Sequence, residues 1–286
     1  MEKNQIKVSV FVPVYNDENN IENCINSILN QEYKFDEIII VNDCSSDGTK
    51  NILKKYNNIT IINNEVNKGV SFSRNIGIKN CNNKIIAGVD SDVELEKNWL
   101  KKILELFLKN KAVYCSGHIE EKYTNNKYNL WRSTRYPLNW GPKNLKNPPF
   151  IFTNNTLQYK NVWFKTGGFD ENFKNPGGDD IDYSQKVSKH FNDKSFYFFD
   201  PKSMHLANDN ILTLSNRIWR YHSFGYKIKK PSLYRLIKLV LKQFNFLIKH
   251  LVEDLIKLRF FFMFIDLMIF IIFIKHEFVY TFFKKK

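Results

Sequence analysis

The chain is poor in cysteine: four in 286 residues, Cys24, Cys44, Cys81 and Cys115, none in a C-x-x-C spacing. That argues against a disulfide scaffold or a thiolate metal site. The expectation is reduced, buried or half-buried thiols in a cytosolic protein. No secretory signal is expected, because a polar start runs straight into the strand-like Val8–Val12. No internal repeat or low-complexity segment stands out. No G-x-G-rich, lysine-bearing loop follows the first strand, which argues against a nucleotidyltransferase. No apolar run reaches the ~20 residues of a membrane-spanning helix. The longest, Phe260–Ile274, is broken only by Asp266.

Positive charge is in excess and unevenly placed. The net charge is +14, yet residues 217–286 hold 15 Lys and Arg against 4 Asp and Glu, and residues 1–216 hold 28 against 25. A basic tail can meet nucleic acid or an anionic membrane. Its aromatic and aliphatic density, without any nucleic-acid motif, favours the membrane surface and no nucleic acid. Residues 260–274 have basic flanks on both sides, Lys257 and Arg259 before, Lys275 and Lys284–Lys286 after. A single span would set one basic flank against the positive-inside tendency. The expectation is a segment lying in the membrane interface or forming a shallow hairpin; an ordinary buried or dimer-forming helix is the alternative.

The first part alternates strand-type and helix-type stretches. Strands are expected over 6–14, 37–41, 59–62 and 85–89, with helices over 21–29, 47–53, 70–79 and 99–108. Such alternation implies βαβ units and a mostly parallel sheet, with ligands beyond the carboxyl ends of the strands. Polar clusters follow Val14, Val41 and Val89, which are strand ends. Residues 120–149 are aromatic, polar and proline-bearing without clear period, and read as a long functional loop or lid. Helix signal resumes near Ile181, a strand is expected over 195–199, and the chain is helical in pattern from about Ile211. The expected division is a catalytic domain over 1–225 and a basic, apolar helical tail over 226–286.

Asp90-Ser91-Asp92, just past the apolar run 85–89, does not help a core. Two carboxylates so placed suit a hard divalent cation held against phosphate oxygens. A surface turn after a strand would look the same, so the neighbouring motifs decide. Pro13-Val14-Tyr15-Asn16 ends the first strand. In Asn42-Asp43-Cys44-Ser45-Ser46-Asp47, Asp43 is placed to accept from the ring N–H of a pyrimidine, and Asp47 reads as a helix cap. Arg74, near a helix start, can pair with phosphate through its planar fork or be a solvated helical arginine. Gly178-Asp179-Asp180-Ile181-Asp182 crowds three carboxylates into four positions. Crowding with partial burial can raise one toward a general base, though acids at a helix start are common decoration. His205 follows the Asp200-Pro201 turn, and neutral imidazole is a good ligand for an ion such as manganese.

Taken together and in order, Val8–Thr49, Gly69–Gly77, Asp90-Ser91-Asp92, Gly167-Gly168-Phe169-Asp170-Glu171 and Gly178-Asp179-Asp180 resemble glycosyltransferase family 2. The similarity covers roughly residues 6 to 225. It implies an α/β, GT-A (Rossmann-like) fold and an inverting glycosyltransferase. By that resemblance Pro13, Tyr15 and Asp43 line the nucleobase and ribose site, with Arg74 and Asp90 near the nucleotide. Asp90 and Asp92 form the D-x-D, Asp92 being the direct ligand of Mg²⁺ or Mn²⁺. His205 is similar to the histidine that completes such metal sites. Gly167, Gly168 and Phe169 shape the sugar and acceptor side. Asp180 matches the catalytic base, with Asp179 where the family has Glu. Residues 216–225 resemble the basic aromatic segment that follows the histidine. Asn42, Cys44, Val93 and Lys186 depart from common family residues, and none removes a catalytic group.

The implied reaction is a single displacement. A sugar passes from a nucleotide-sugar, a UDP-sugar by expectation, to a hydroxyl of a saccharide or lipid-linked saccharide in surface polysaccharide or glycoconjugate assembly. The expected location is the cytoplasmic face of the membrane, reached through the C-terminal tail. A polyprenyl-phosphate sugar synthase is the nearest alternative, and a non-catalytic membrane-bound adaptor is an alternative of another class.

Overall fold

The computed structural model describes residues 6–173, 177–192, 194–224 and 232–283. Apolar runs and amphipathic stretches alternate through the first half and fold as their periods predict. The strands β1 (Val8–Val14), β2 (Glu37–Asn42), β3 (Thr60–Asn63) and β4 (Ile85–Val89) are separated by helices. These are α1 (Ile21–Leu29), α2 (Thr49–Leu53) and α3 (Val70–Asn80). β1 and β4 are buried at every residue, as strands covered on both faces must be. α3 packs closely on β1 because Gly77 has no side chain; a Cβ there would lie 2.8 Å from Phe11 Cβ.

The short β5 (Val93–Leu95) then leads into α4 (Trp99–Lys109), whose Trp99, Leu100, Ile103, Leu104 and Phe107 are buried. Next come β6 (Tyr114–Glu121), α5 (Lys127–Arg135), β7 (Leu145–Lys146), β8 (Asn155–Tyr159), α6 (Lys160–Thr166) and α7 (Asp179–His190). β9 (Ser195–His205) is followed by α8 (Ile211–Phe224), α9 (Leu233–Ile256) and α10 (Phe260–Phe282).

All the strands join one sheet, in the order β3-β2-β1-β4-β8-β6-β9-β5 with β7 beside β9. The β3, β2, β1, β4 half is parallel, as the alternation implies. The other half is mixed rather than mostly parallel. β6 and β9 are parallel, while β8 runs antiparallel to both of its neighbours and β5 and β7 run antiparallel to β9. β8 is reached through the irregular stretch after Pro137 and not through a crossover helix, so nothing forces it parallel.

The stretch 120–149, expected to be a loop, holds the end of β6, all of α5 and β7. Its helix shows no apolar period because two of its three buried residues are polar, Asn129 and Arg132 beside Trp131. Asp200-Pro201 is no turn. β9 runs through it, and a register shift opposite Ser116 and His118 takes up the irregularity. The four cysteines are free thiols, all buried except Cys44.

The chain folds as two compact units. One comprises Met1–Lys122, Leu138–Lys174 and Asp179–Ala207 and contains the whole sheet. The other comprises Tyr123–Pro137, Asn175–Gly178 and Asn208–Lys286 and is helical in its described residues. Its apolar core is Trp131, Leu214, Ile218, Phe262, Ile265 and Ile269. Buried ion pairs run through it: Arg132 with Asp209 at 2.7 Å, Arg235 with Glu277 at 2.8 Å, and Arg135 with both Asp254 and Asp266. The apolar run 260–274 is part of the 23-residue α10. No described helix is long and apolar enough to cross a membrane.

Candidate active site

Parallel strands all end on one side of a sheet, so the residues just beyond β1, β2 and β4 meet there. At the end of β1, Pro13 is buried, and just beyond the strand Tyr15 is half exposed, at 51%. Proline is tolerated in this central strand because the β1–β4 ladder ends at Phe11, leaving Pro13 paired only with Val41 of β2. Asn16 ties the two loops together. Its N–H donates to Ser45 Oγ at 3.0 Å, and its side-chain oxygen accepts from the Ser46 N–H at 2.7 Å.

Beyond β2, the Asp43 carboxylate is buried and already holds three donors. Asn64 Nδ2 lies at 2.7 Å, the Lys68 N–H at 2.9 Å and the Gly69 N–H at 2.7 Å. It thereby fixes the turn that starts α3. A carboxylate has about four acceptor directions, so one remains.

Arg74, on the first turns of α3, is buried and is no solvated helical arginine. Its guanidinium donates to Asp90 Oδ1 at 2.8 Å and to the Asp179 carboxylate. Burial opposes its charge, but Asp90 and Asp179 outweigh that and hold it protonated more firmly than an ordinary arginine. One cation therefore joins the D-x-D to the acids that open α7.

The Gly167-Gly168-Phe169 turn buttresses this arginine. Gly167 and Gly168 take left-handed φ of 75° and 73°. A Cβ on Gly168 would lie 2.5 Å from Trp163 Nε1 and 2.7 Å from Asn75 Oδ1. Asn75 clamps the turn: its Oδ1 accepts from the Phe169 N–H and its Nδ2 donates to the Phe169 carbonyl, both at 2.9 Å. Phe169 is buried. It stacks on Tyr183 at 4.1 Å between centroids and lies 5.5 Å from the Arg74 guanidinium. Its ring lies against Arg74, so the turn presents backbone and not an exposed aromatic face.

Asp180 is half buried and accepts from the N–H of Ile181 at 2.8 Å. Burial, then the charge of Asp179, pushes its carboxyl up to about 7, with Arg74 pulling partly back. Asp90 is also raised, first by burial and then by Asp92, against the pull of Arg74.

Sheet register places the remaining pair. Val93 of β5 sits opposite His205 of β9, and the Leu206 N–H donates to the Asp92 carbonyl at 2.7 Å. The His205 ring thus faces Asp92, Nε2 to Oδ2 at 3.2 Å. Its Nδ1 lies 3.1 Å from Glu121, which pairs with His205 at the end of the β6–β9 ladder.

Among the described residues no group of three or more His, Cys, Asp or Glu is gathered to hold a metal ion. The donor set still fits one in part. Two adjacent ligands of an octahedral ion with bonds near 2.1 Å stand about 3 Å apart, close to the Asp92–His205 separation of 3.2 Å. A carboxylate on the far ring nitrogen is the usual support of a ligating histidine.

Two residues went unmarked in the sequence. One is Glu121. The other is Asp17, whose Oδ2 accepts from Ser91 Oγ at 2.6 Å and whose carboxyl is pushed up to about 6, first by burial and then by Asp92. Asp17 follows the end of β1, so the strand-end rule that found Asp43 and Asp90 could have found it; Glu121 closes β6, a strand without a clean apolar period.

A mixed sheet with helices on its faces, and acids gathered past the carboxyl ends of its parallel strands, is the architecture of GT-A glycosyltransferases. Solved structures agree. TarS from S. aureus, residues 1–349, aligns with a TM-score of 0.57 at 20% identity over 75% of this chain and 64% of that one. GalNAc-T7, solved with UDP, GalNAc and Mn²⁺, aligns with a TM-score of 0.58 at 14% identity over 84% of this chain and 48% of that one. At such identities the likeness is one of fold. The family model "Glycosyl transferase family 2" matches residues 9–170, and the chain belongs to that family.

Among its relatives, TuaG of Bacillus subtilis (strain 168) is 35% identical over 111 residues, 37% of this chain and 44% of TuaG. WfgD of Escherichia coli, a UDP-Glc:α-D-GlcNAc-diphosphoundecaprenol β-1,3-glucosyltransferase, is 33% identical over 115 residues, 40% of this chain and 46% of WfgD. The match thus spans less than half the length of either relative.

Proposed function

We propose that the chain is an inverting glycosyltransferase. It moves a sugar from a nucleotide-sugar, a UDP-sugar first among them, to a hydroxyl of a saccharide or lipid-linked saccharide in surface polysaccharide or glycoconjugate assembly. The observation that carries the reading is Arg74, which binds Asp90 of the D-x-D and Asp179 beside Asp180 at once. A diphosphate-facing acid and a base-like acid are thereby parts of one charged cluster.

The roles follow from chemistry. Tyr15 and the remaining acceptor direction of Asp43 receive the base and ribose of the donor. Asp92 and His205, with Asp90 beside them, hold Mg²⁺ or Mn²⁺. When bound, the ion neutralises the diphosphate as a leaving group. Asp180, raised to about 7, is poised to take the proton of the acceptor hydroxyl near neutral pH. Asp179 fixes Arg74 and raises Asp180, so it tunes the base from next to it. Gly167 and Gly168 offer backbone to the sugar side. The activity named for WfgD supports a lipid-linked acceptor, and the apolar C-terminal helices support work at the cytoplasmic face of a membrane.

The test is a donor screen that measures nucleoside diphosphate release with and without Mn²⁺. Metal-dependent release from one donor, lost in Asp180→Asn, is the expected result. No release from any donor, together with no thermal stabilisation by UDP and Mn²⁺, would favour a non-catalytic adaptor. The exposed apolar helices also suit a second reading, transfer to polyprenyl phosphate. Labelled donor incubated with polyprenyl phosphate would yield a lipid-soluble product in that case alone.

A further inference from the structure

The helices α9 and α10 bury one apolar face, with Leu236, Leu247, Phe262, Ile265, Ile269 and Phe273, and expose a second. Their acids point inward or are paired. The Glu277 and Asp254 side chains are fully buried, Glu277 against Arg235 and Asp254 against Arg135. Asp266 is held by Arg135 at 3.1 Å and accepts from Trp131 Nε1 at 2.9 Å. Glu253 is taken by Lys257 at 2.8 Å and Arg259 at 3.1 Å.

Large apolar side chains point outward instead. On α9, Leu241, Phe244, Ile248, Val252 and Leu255 are exposed at helical spacing. On α10, Phe264, Leu267, Ile271 and Phe278 are exposed in the same way, each near one half. Apolar surface on this scale marks an interaction site.

The charges around the stripe say which partner fits. Lys238, Lys242 and Lys249 are exposed and align along one edge of the α9 stripe. Each acid of these two helices has a basic partner, so the charge left on their outer surface is positive. A second copy docked by the same patch would bring no unpaired acid to those lysines. Anionic headgroups over an acyl boundary complement both features. Orientation follows from length. The 24 residues of α9 extend about 36 Å, more than the ~30 Å hydrocarbon layer. Upright, the helix would drag its lysines through hydrocarbon; flat, all of them stay at headgroup depth.

We propose that α9 and α10 form a docking surface for a bilayer carrying anionic lipid, with both helices lying in the plane of the interface. The proposal rests on the membrane-face part of the proposed function and on none of its sugar chemistry.

The test sediments the full chain with vesicles of phosphatidylcholine alone and of phosphatidylcholine with phosphatidylglycerol. Binding to the mixed vesicles that weakens with salt is the expected result. Lys238→Glu/Lys242→Glu/Lys249→Glu lowers that binding by about a hundredfold. Leu241→Gln/Ile248→Gln lowers it as well, and Phe264→Gln serves if either combination fails to fold by circular dichroism. Wild-type chain left in the supernatant with mixed vesicles overturns the proposal. So does unchanged binding by the folded variants, or a dimer, seen by light scattering, that the same substitutions disperse while vesicles are ignored. UDP affinity of the same samples reports on the transferase reading separately, and its absence would leave the vesicle result standing.

Discussion

Arg74 and Asp90 form an ion pair of 2.8 Å in which the arginine side chain is only 5% exposed and that of Asp90 28%. The same guanidinium holds the buried Asp179, so its removal takes a cation from two carboxylates at once. Arg74→Ala should therefore cost about 3 kcal/mol or more, the usual penalty for breaking a buried pair from one side. Urea unfolding at neutral pH measures it. Arg74→Leu/Asp179→Leu, which removes both charges, should recover part of the loss. A full-size loss in the double variant would mean that packing, not charge, is what Arg74 supplies.

Asp180 carries opposite signs for activity and stability. Its carboxyl, raised from 3.8 to about 7, binds a proton in the folded state that the unfolded chain releases near pH 4. Between those values the folded form holds more protons, so this group makes stability fall as pH rises from about 4 to 7. Activity should rise over the upper part of that window as the base becomes free. Asp180→Asn is expected to lower kcat by about 10²- to 10⁴-fold while leaving UDP affinity in place. It should also flatten the decline in stability between about pH 4 and 7. A variant with full turnover and an unchanged acid limb in its pH–rate profile would remove Asp180 as the base.

The parts that sequence pattern reveals are those where one physical signal acts alone. α1 and β4 begin and end at the residues their apolar periods mark, because each buries one clean face or a continuous run. β6 and α5 lack such a signal. β6 buries Ser116 and His118 among its apolar residues, and α5 buries Asn129 and Arg132, which are satisfied by partners far along the chain. Strand-end acids were legible as candidates because their place beyond the sheet is local. What each one touches was not. In sequence Arg74 reads as a side chain that can pair with phosphate or stand solvated on its helix; the carboxylates it holds lie 16 and 105 residues away and leave no local mark. Glu121 acquires its place from the parallel pairing of β6 with β9, which no local pattern encodes.

The tight turn at Gly168 gives a prediction of stability alone. Gly168→Ala meets two obstacles at once: a left-handed φ of 73° and contacts of 2.5 and 2.7 Å to Trp163 and Asn75. Such a substitution should cost about 2 kcal/mol. Gly167→Ala has the same sign of φ, at 75°, but nothing within 4 Å, so it should cost less. Thermal unfolding of the two variants side by side separates backbone strain from collision. Equal losses would mean that Trp163 and Asn75 give way freely.

The pair of His205 with Glu121 carries the last expectation. His205 presents Nε2 to Asp92 because Glu121 lies 3.1 Å from Nδ1 and favours the tautomer that carries its proton there. Glu121→Gln keeps the size of the side chain but removes the charge that orients and polarises the ring. If Asp92 and His205 hold a divalent ion, this change should weaken Mn²⁺ binding about tenfold to a hundredfold, as read by calorimetry in the presence of UDP. His205→Ala should weaken it at least as much, and Asp92→Asn further still. Glu121→Gln should leave the unfolding midpoint of the metal-free protein nearly unchanged, because the Gln side chain can still accept from Nδ1. Equal Mn²⁺ affinity in wild type and in all three variants would show that the ion, if bound, sits elsewhere, and the His205–Asp92 contact would then be a strut between β9 and the D-x-D turn.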